Sequence, residues 1–231
     1  MSTLMAALMT TFTPSSRVGQ IVADKPAASR TFHRYGIDFC CGGGQELGTM
    51  CSKKGINVDE VLSTLASDLA GQPTGTRWKD ASSPALIGHI LTAFHEPLRE
   101  ELPRLHGMLS KVHRVHGHVD QERFDRLLTL FSSLKEDLEA HMLEEEEVLF
   151  PAMMQRNTSL STEELASFEN EHEAAGDALR EIRTLTDNFV APDYACNTWK
   201  ALWDGLKEFE SMMHEHVHLE NNVLFARFGH F

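Results

Sequence analysis

Two stretches decide the fold: His141-Met142-Leu143-Glu144-Glu145-Glu146-Glu147-Val148-Leu149-Phe150 and, 75 residues later, His216-Val217-His218-Leu219-Glu220-Asn221-Asn222-Val223-Leu224-Phe225. Each sits on an apolar stripe with helical spacing, and in each a His is followed four residues on by a Glu. The stripe of the earlier helix runs Phe124, Leu127, Phe131, Leu134, Leu138, His141, Glu145, Val148, Ala152. That of the later one runs Trp199, Leu202, Leu206, Phe209, Met213, His216, Glu220, Val223. Two further stripes carry one His each: Leu91, His95, Leu98, Leu102, Leu105, Leu109 and Leu165, Phe168, His172, Ala175, Leu179, Ile182. His95 and His172 are 77 residues apart. Two helical hairpins, each offering one His and then one His-x-x-x-Glu, predict an all-α, up-down four-helix bundle with pseudo-twofold symmetry around a central site.

A buried, ionised Glu is costly unless paired, and no Lys or Arg lies on these stretches of stripe. A bound cation resolves the conflict, because His and Glu at i and i+4 point at one spot. Four imidazoles (His95, His141, His172, His216) and two carboxylates (Glu145, Glu220) are too many for one tetrahedral ion. Two ions sharing both Glu, with two His each, use all six. The charge balance then favours an anionic oxygen bridge and leaves an open position. That donor set suits iron and O2 or NO chemistry better than structural zinc, and manganese also fits.

The remaining composition is that of an ordinary globular protein: 231 residues, 42% hydrophobic, 24% charged. A net charge of −13 argues against a nucleic-acid partner, and no apolar run reaches the ~18 residues of a membrane span. The four Cys do not form a secreted disulfide framework, and Leu4–Met9 is too short and lacks the basic flank of a signal peptide; a reducing, cytoplasmic setting is expected. Along the chain we expect a loose segment over 1–16, a small helical domain over 17–70, a linker over 71–81 and the bundle over 82–231. The expected bundle helices are ~83–113, ~119–155, ~161–188 and ~193–227, with the longest connection before the last. Pro97 and Pro103 predict a kink or irregular turn in the first of these, and Pro97 threatens to displace His95.

In the small domain, Gly36 suits a helix stop and Asn57 with Glu60 an N-cap opening a helix through Leu69. Between them, Cys40-Cys41-Gly42-Gly43-Gly44 predicts an exposed, flexible turn. The adjacent thiols are either ordinary or a redox or iron-handling pair. Cys51 and Cys196 are expected to be inert. Among the other His, His214 and His218 fall off the stripe and His113, His116 and His118 lie at a helix end, His116 being a candidate for supporting the site. Glu144, Glu146 and Glu147 are expected on a solvated face.

The paired His-x-x-x-Glu motifs and the ending Asn221-Asn222-Val223-Leu224-Phe225 resemble the hemerythrin-type bundle. Gly36-Ile37-Asp38-Phe39-Cys40-Cys41-Gly42-Gly43 is similar to the small N-terminal domain of the iron–sulfur cluster repair di-iron proteins, and the combined resemblance spans about 17–228. It implies two non-haem iron ions per chain, oxo-bridged, bound by His95, His141, Glu145, His172, His216 and Glu220 with both Glu bridging. It also implies a bacterial homodimer acting under nitrosative or oxidative stress, with damaged iron–sulfur proteins as partners. Cys40 and Cys41 would assist transfer of iron or electrons. Other functions open to such a bundle are an O2- or NO-binding carrier or sensor and a nitric oxide reductase. A ferritin-like oxidase fits less well, because that site uses Glu-x-x-His pairs. One local departure is Ala226, which stands where the earlier repeat has Pro151.

Overall fold

In a computed structural model, which describes residues 12–70, 76–155 and 160–228, every regular element is helical. Four short helices come first: α1 (Val18–Asp24), α2 (Ala28–Tyr35), α3 (Leu47–Lys54) and α4 (Val58–Leu69). Gly36 and Gly55 end α2 and α3 in the left-handed conformation, at φ 61° and 67°, which suits glycine. Asn57 caps α4 by accepting the Asp59 N–H, while the Glu60 carboxylate accepts the Tyr35 hydroxyl from α2 instead of closing a full capping box. Val18, Ile21, Phe32, Phe39, Leu47, Val61 and Leu65 form the core of this unit.

Four long helices follow, matching the expected up-down bundle. α5 comprises Ser83–Ile90, a π turn Leu91–His95 and Glu96–His116; α6 comprises Gln121–Glu144, a π turn Glu145–Leu149 and Phe150–Met154. α7 is Thr162–Leu185, opened by a Ser161–Glu164 capping box. α8 comprises Asn197–Leu219, a π turn Glu220–Leu224 and a 3-10 turn Phe225–Phe228. α5 packs on α6, α6 on α7, α7 on α8 and α8 back on α5, so the four close a ring. The longest connection precedes α8, where Asp187, Asn188 and Phe189 all take positive φ.

The three π turns explain where the predicted stripe goes out of phase. A π turn bonds N–H to the carbonyl five residues back, here Glu96 to Leu91, Phe150 to Glu145 and Phe225 to Glu220. The extra residue rotates everything after it. Val148, expected on the stripe, is therefore 62% exposed, and Leu149, Phe150 and Met153 are buried in its place. Pro97 and Pro151 each stand two residues past the end of one of these turns, where a widened helix relieves the clash of a proline ring with the carbonyl four residues back. The third turn forms with Ala226 in that position, so proline is not required for it. Pro103 lies inside α5 without interrupting it.

The small unit packs directly on the bundle. Asn222 of α8 donates from Nδ2 to the carbonyls of Cys40 (2.8 Å) and Phe39 (3.3 Å). His218 donates from Nδ1 to the Phe39 carbonyl at 3.2 Å; burial holds its pKa down at about 4, so the ring is neutral. His214 meets Phe39 edge-on, with ring centroids 6.1 Å apart. These two His, off the stripe as expected, thus face the small unit alongside Asn222. The Cys40-Cys41 turn is not the exposed, flexible segment expected: Cys40 is buried within the bundle core and Cys41 is half-buried against it. The segment before α1 is also less loose than expected over its described part, since Pro14 and Ser16 accept backbone N–H groups of Gly48 and Leu47. Residues 1–11 of that segment, and 71–75 of the expected linker, lie outside the described residues; Trp78–Asp80 form a 3-10 turn.

Gly19 and Gly43 make this docking possible, because a Cβ at either would overlap the Asn222 side chain. Gly43→Ala is expected to push the Cys turn off the bundle. Thiol labelling of Cys41 should accelerate at least ten-fold, with a loss of about 1–2 kcal/mol in stability from the broken hydrogen bonds. Chemical denaturation and timed labelling check both.

Candidate metal centre

His95, His141, Glu145, His172, His216 and Glu220 converge at one level of the bundle, and all are essentially inaccessible to solvent. They form two clusters, His95-Glu145-His216-Glu220 and His141-Glu145-His172-Glu220, in each of which one ligand atom per residue lies within 4.8 Å of the others. Both carboxylates are shared. The polar layer is sandwiched between two apolar ones. Phe94, Leu98, Leu138, Met142, Ala175 and Met213 lie on one side, and Ile90, Leu149, Phe150, Phe168, Leu224 and Phe225 on the other. His95 joins the others despite Pro97.

The geometry fits metal ions. His95 Nε2 and His216 Nε2 are 3.0 Å apart, and His141 Nε2 and His172 Nε2 are 2.9 Å apart. Two nitrogens bound at ~2.1 Å in adjacent octahedral positions lie about 3.0 Å from each other. Two facing imidazole nitrogens need something positive between them, and so do the carboxylates. Glu145 Oε2 lies 3.4 Å from His95 Nε2 and Glu145 Oε1 3.5 Å from His141 Nε2, while Glu220 reaches His216 at 2.9 Å and His172 at 3.3 Å. Neither Glu145 oxygen, nor Glu220 Oε2, has a hydrogen-bond partner among the described residues. Buried acceptors without donors are rare and costly, and they mark where cations belong. Burial disfavours protonated imidazole here, yet the Glu145 and Glu220 carboxylates outweigh it, lifting His95 to about 10 and His141 to about 9. Burial and the neighbouring Glu220 push Glu145 upward, and the imidazoles of His141 and His95 overcome both, leaving its pKa lowered. The site therefore attracts positive charge strongly.

Three residues that sequence reasoning passed over orient the imidazoles. Glu146 Oε1 accepts from His95 Nδ1 at 2.7 Å, Asn221 Oδ1 from His172 Nδ1 at 2.7 Å, and Glu171 Oε2 from His141 Nδ1 at 2.6 Å. Each bond turns Nε2 inward and increases its basicity as a ligand. The signal was present in the repeat: Glu146 and Asn221 each follow a central Glu, and each serves the lone His of the preceding helix. Phe150 and Phe225 repeat the relation, packing on His95 and His172 at 5.7 and 6.0 Å. Glu146 also binds Arg99, so it is not part of a purely solvated face. The symmetry breaks at His216, whose Nδ1 has no partner among the described residues and whose ring instead stacks on Phe94 at 5.3 Å. His116 does not support the centre. It lies at the opposite end of α5, against Cys196 and Trp199.

With this geometry, comparison with known proteins is informative. Residues 86–228 match the hemerythrin HHE cation binding domain, and residues 14–69 match ScdA_N, a domain of unknown function (DUF542). The molecule is thus a hemerythrin-type cation-binding bundle preceded by an ScdA_N domain. Similar relatives include the iron-sulfur cluster repair protein YtfE of Escherichia coli O1:K1, 38% identical over 91% of this chain and 94% of the relative. That of Pectobacterium atrosepticum is 38% identical over 91% and 95%. The chain belongs to the YtfE-type family of iron-sulfur cluster repair proteins.

If orientation by Nδ1 contacts matters, Asn221→Ala should weaken metal binding about 10–100-fold. The exposed Glu147→Gln should leave it unchanged. Competition with a coloured chelator reads the difference.

Proposed function

We propose that this protein holds two iron ions between α5, α6, α7 and α8 and donates iron to iron–sulfur proteins damaged by nitrosative or oxidative stress. The carrying observation is the pair of shared, hydrogen-bond-deficient carboxylates facing two imidazole pairs at metal-ligand spacing. His95 and His216 would hold one ion and His141 and His172 the other, with Glu145 and Glu220 bridging them. Imidazole and carboxylate together, without sulfur, suit iron(II) and iron(III), and the six protein ligands leave room for an exogenous one. When bound, iron supplies an exchangeable metal that a depleted cluster can accept.

The chain's own residues set how firmly iron is held. Glu146, Glu171 and Asn221 strengthen three of the four imidazoles as ligands. His216 lacks such a partner, which favours easier release from the His95–His216 side. The apolar layers exclude water from the carboxylates. The free thiols at Cys40, Cys41, Cys51 and Cys196 suit a reducing cytoplasm. No helix among the described residues is long and apolar enough to cross a membrane.

A second reading, binding of a small diatomic such as NO or O2, is favoured by a cavity between α6 and α7. It has a volume of about 410 Å³; Leu134, Leu138, Ala175 and Ala178 line it together with His141 and His172, and so do the acidic Asp137, Glu144 and Glu171. The apolar part of its wall offers space for a small uncharged molecule beside two of the imidazoles, while its three carboxylates give the same cavity an attraction for cations.

Three experiments test these readings. Purified iron-loaded protein, incubated with an apo iron–sulfur protein and a chelator that captures free iron, should still restore the cluster. Restoration no better than with ferrous salt would refute donation. Glu145→Ala should lose both irons, each Glu being shared, whereas His216→Ala should lose one; iron analysis distinguishes them. For the second reading, Ala174→Trp at the cavity mouth should slow NO association at least ten-fold without changing iron content, as measured by stopped-flow absorbance.

A further inference from the structure

Asp38, Cys40 and Cys41 lie together on the turn between α2 and α3, outside the buried centre. Cys40 Sγ is 3.2 Å from Asp38 Oδ1 and 3.9 Å from Cys41 Sγ, and one donor atom of each residue lies within 4.8 Å of the other two. Two sulfurs on one tetrahedral ion at ~2.3 Å sit about 3.8 Å apart. The thiols therefore stand at the spacing one ion would impose, and the bond length of a disulfide is far shorter. The donor set of two sulfurs and one oxygen selects borderline-soft divalent ions and disfavours magnesium and calcium. Three protein ligands leave a fourth position open. Asp38 and Cys41 give the cluster a partly exposed edge, where Arg180 approaches Asp38 Oδ2 at 3.9 Å.

A second observation fixes where this cluster stands. Asn222 clamps the Cys40 carbonyl, and the Cys41 thiol reaches the backbone carbonyl of His172 at 3.4 Å. The imidazole of that same His172 faces the central carboxylates. One turn further along the same face of α7, Cys41 Sγ also meets Gly176, where a Cβ would stand at an ordinary contact distance of 3.6 Å. A turn held this closely against a ligand-bearing residue is placed rather than merely tolerated.

We propose that Asp38, Cys40 and Cys41 form a separate metal position, an open three-ligand site for a single divalent ion of iron(II) or zinc(II) character. Binding forms two metal–sulfur bonds and one metal–oxygen bond. The two thiol protons pass to solvent, and nothing is oxidised or reduced. Its use as a stop for iron moving between the centre and a client rests on the donation reading above; the binding itself does not.

Cobalt(II) chloride is the probe, added under argon to the full-length, iron-loaded protein. One equivalent should bind and produce a sulfur-to-cobalt charge-transfer absorption in the near ultraviolet. The absorption should vanish in Cys40→Ser/Cys41→Ser, and the affinity should fall at least ten-fold in Asp38→Asn, with the iron content of the bundle unchanged. Because Cys40 is buried in the core, the half-buried Cys41→Ser serves alone if the double variant unfolds. Lack of the absorption in the unaltered protein, or full affinity in Asp38→Asn, would overturn the assignment. Failure of cobalt binding leaves iron donation intact, and failure of cluster restoration leaves this site intact, so the two are judged apart.

Discussion

Two carboxylates at the centre of a four-helix bundle, with no lysine or arginine beside them among the described residues, are the constraint from which the rest of this structure follows. Burying Glu145 and Glu220 without compensation costs more than a domain of this size can spare. The imidazoles of four helices supply donors for cations that offset that cost, and the helices must therefore bring their His to one level. The apolar layers on either side keep water out, and this strengthens every charge interaction between them.

The π turns show how the helices meet that demand. Three of the four ligand-bearing helices widen by one residue at or beside the polar layer. Up to that point a regular i, i+4 spacing presents His and Glu inward; beyond it, the shifted phase brings Phe150 and Phe225 onto the lone His rings. α7 contributes a single ligand, His172, and stays regular.

The small N-terminal unit is tied to the centre by the same part of α8. Glu220 faces inward, Asn221 orients His172, and Asn222 holds the Cys40-Cys41 turn. Three consecutive residues join a shared carboxylate of the centre, a contact that orients one of its imidazoles and the docking of a second domain. Membership of the YtfE-type iron-sulfur cluster repair family accords with both halves being present, since the bundle alone leaves the Cys-bearing unit without a role.

The repeat of His-x-x-x-Glu at 75 residues and of a lone His at 77 was enough to determine the bundle, its pairing into hairpins and the six central residues, because buried charge on an apolar stripe admits few explanations. Periodicity could not reveal the π turns: they alter the phase of the pattern without altering its composition, so the stripe places Val148 inward while the structure buries Leu149 and Phe150. Nor could it show that Glu146, Glu171 and Asn221 orient imidazoles, or that Cys40 is buried. Those are contacts between residues distant in sequence, across helices or between domains, and only the packed structure decides which side chain of a polar run meets which ring. The glycines after Cys41 signalled a turn. That the turn is rigidly docked depends on Asn222, 182 residues away.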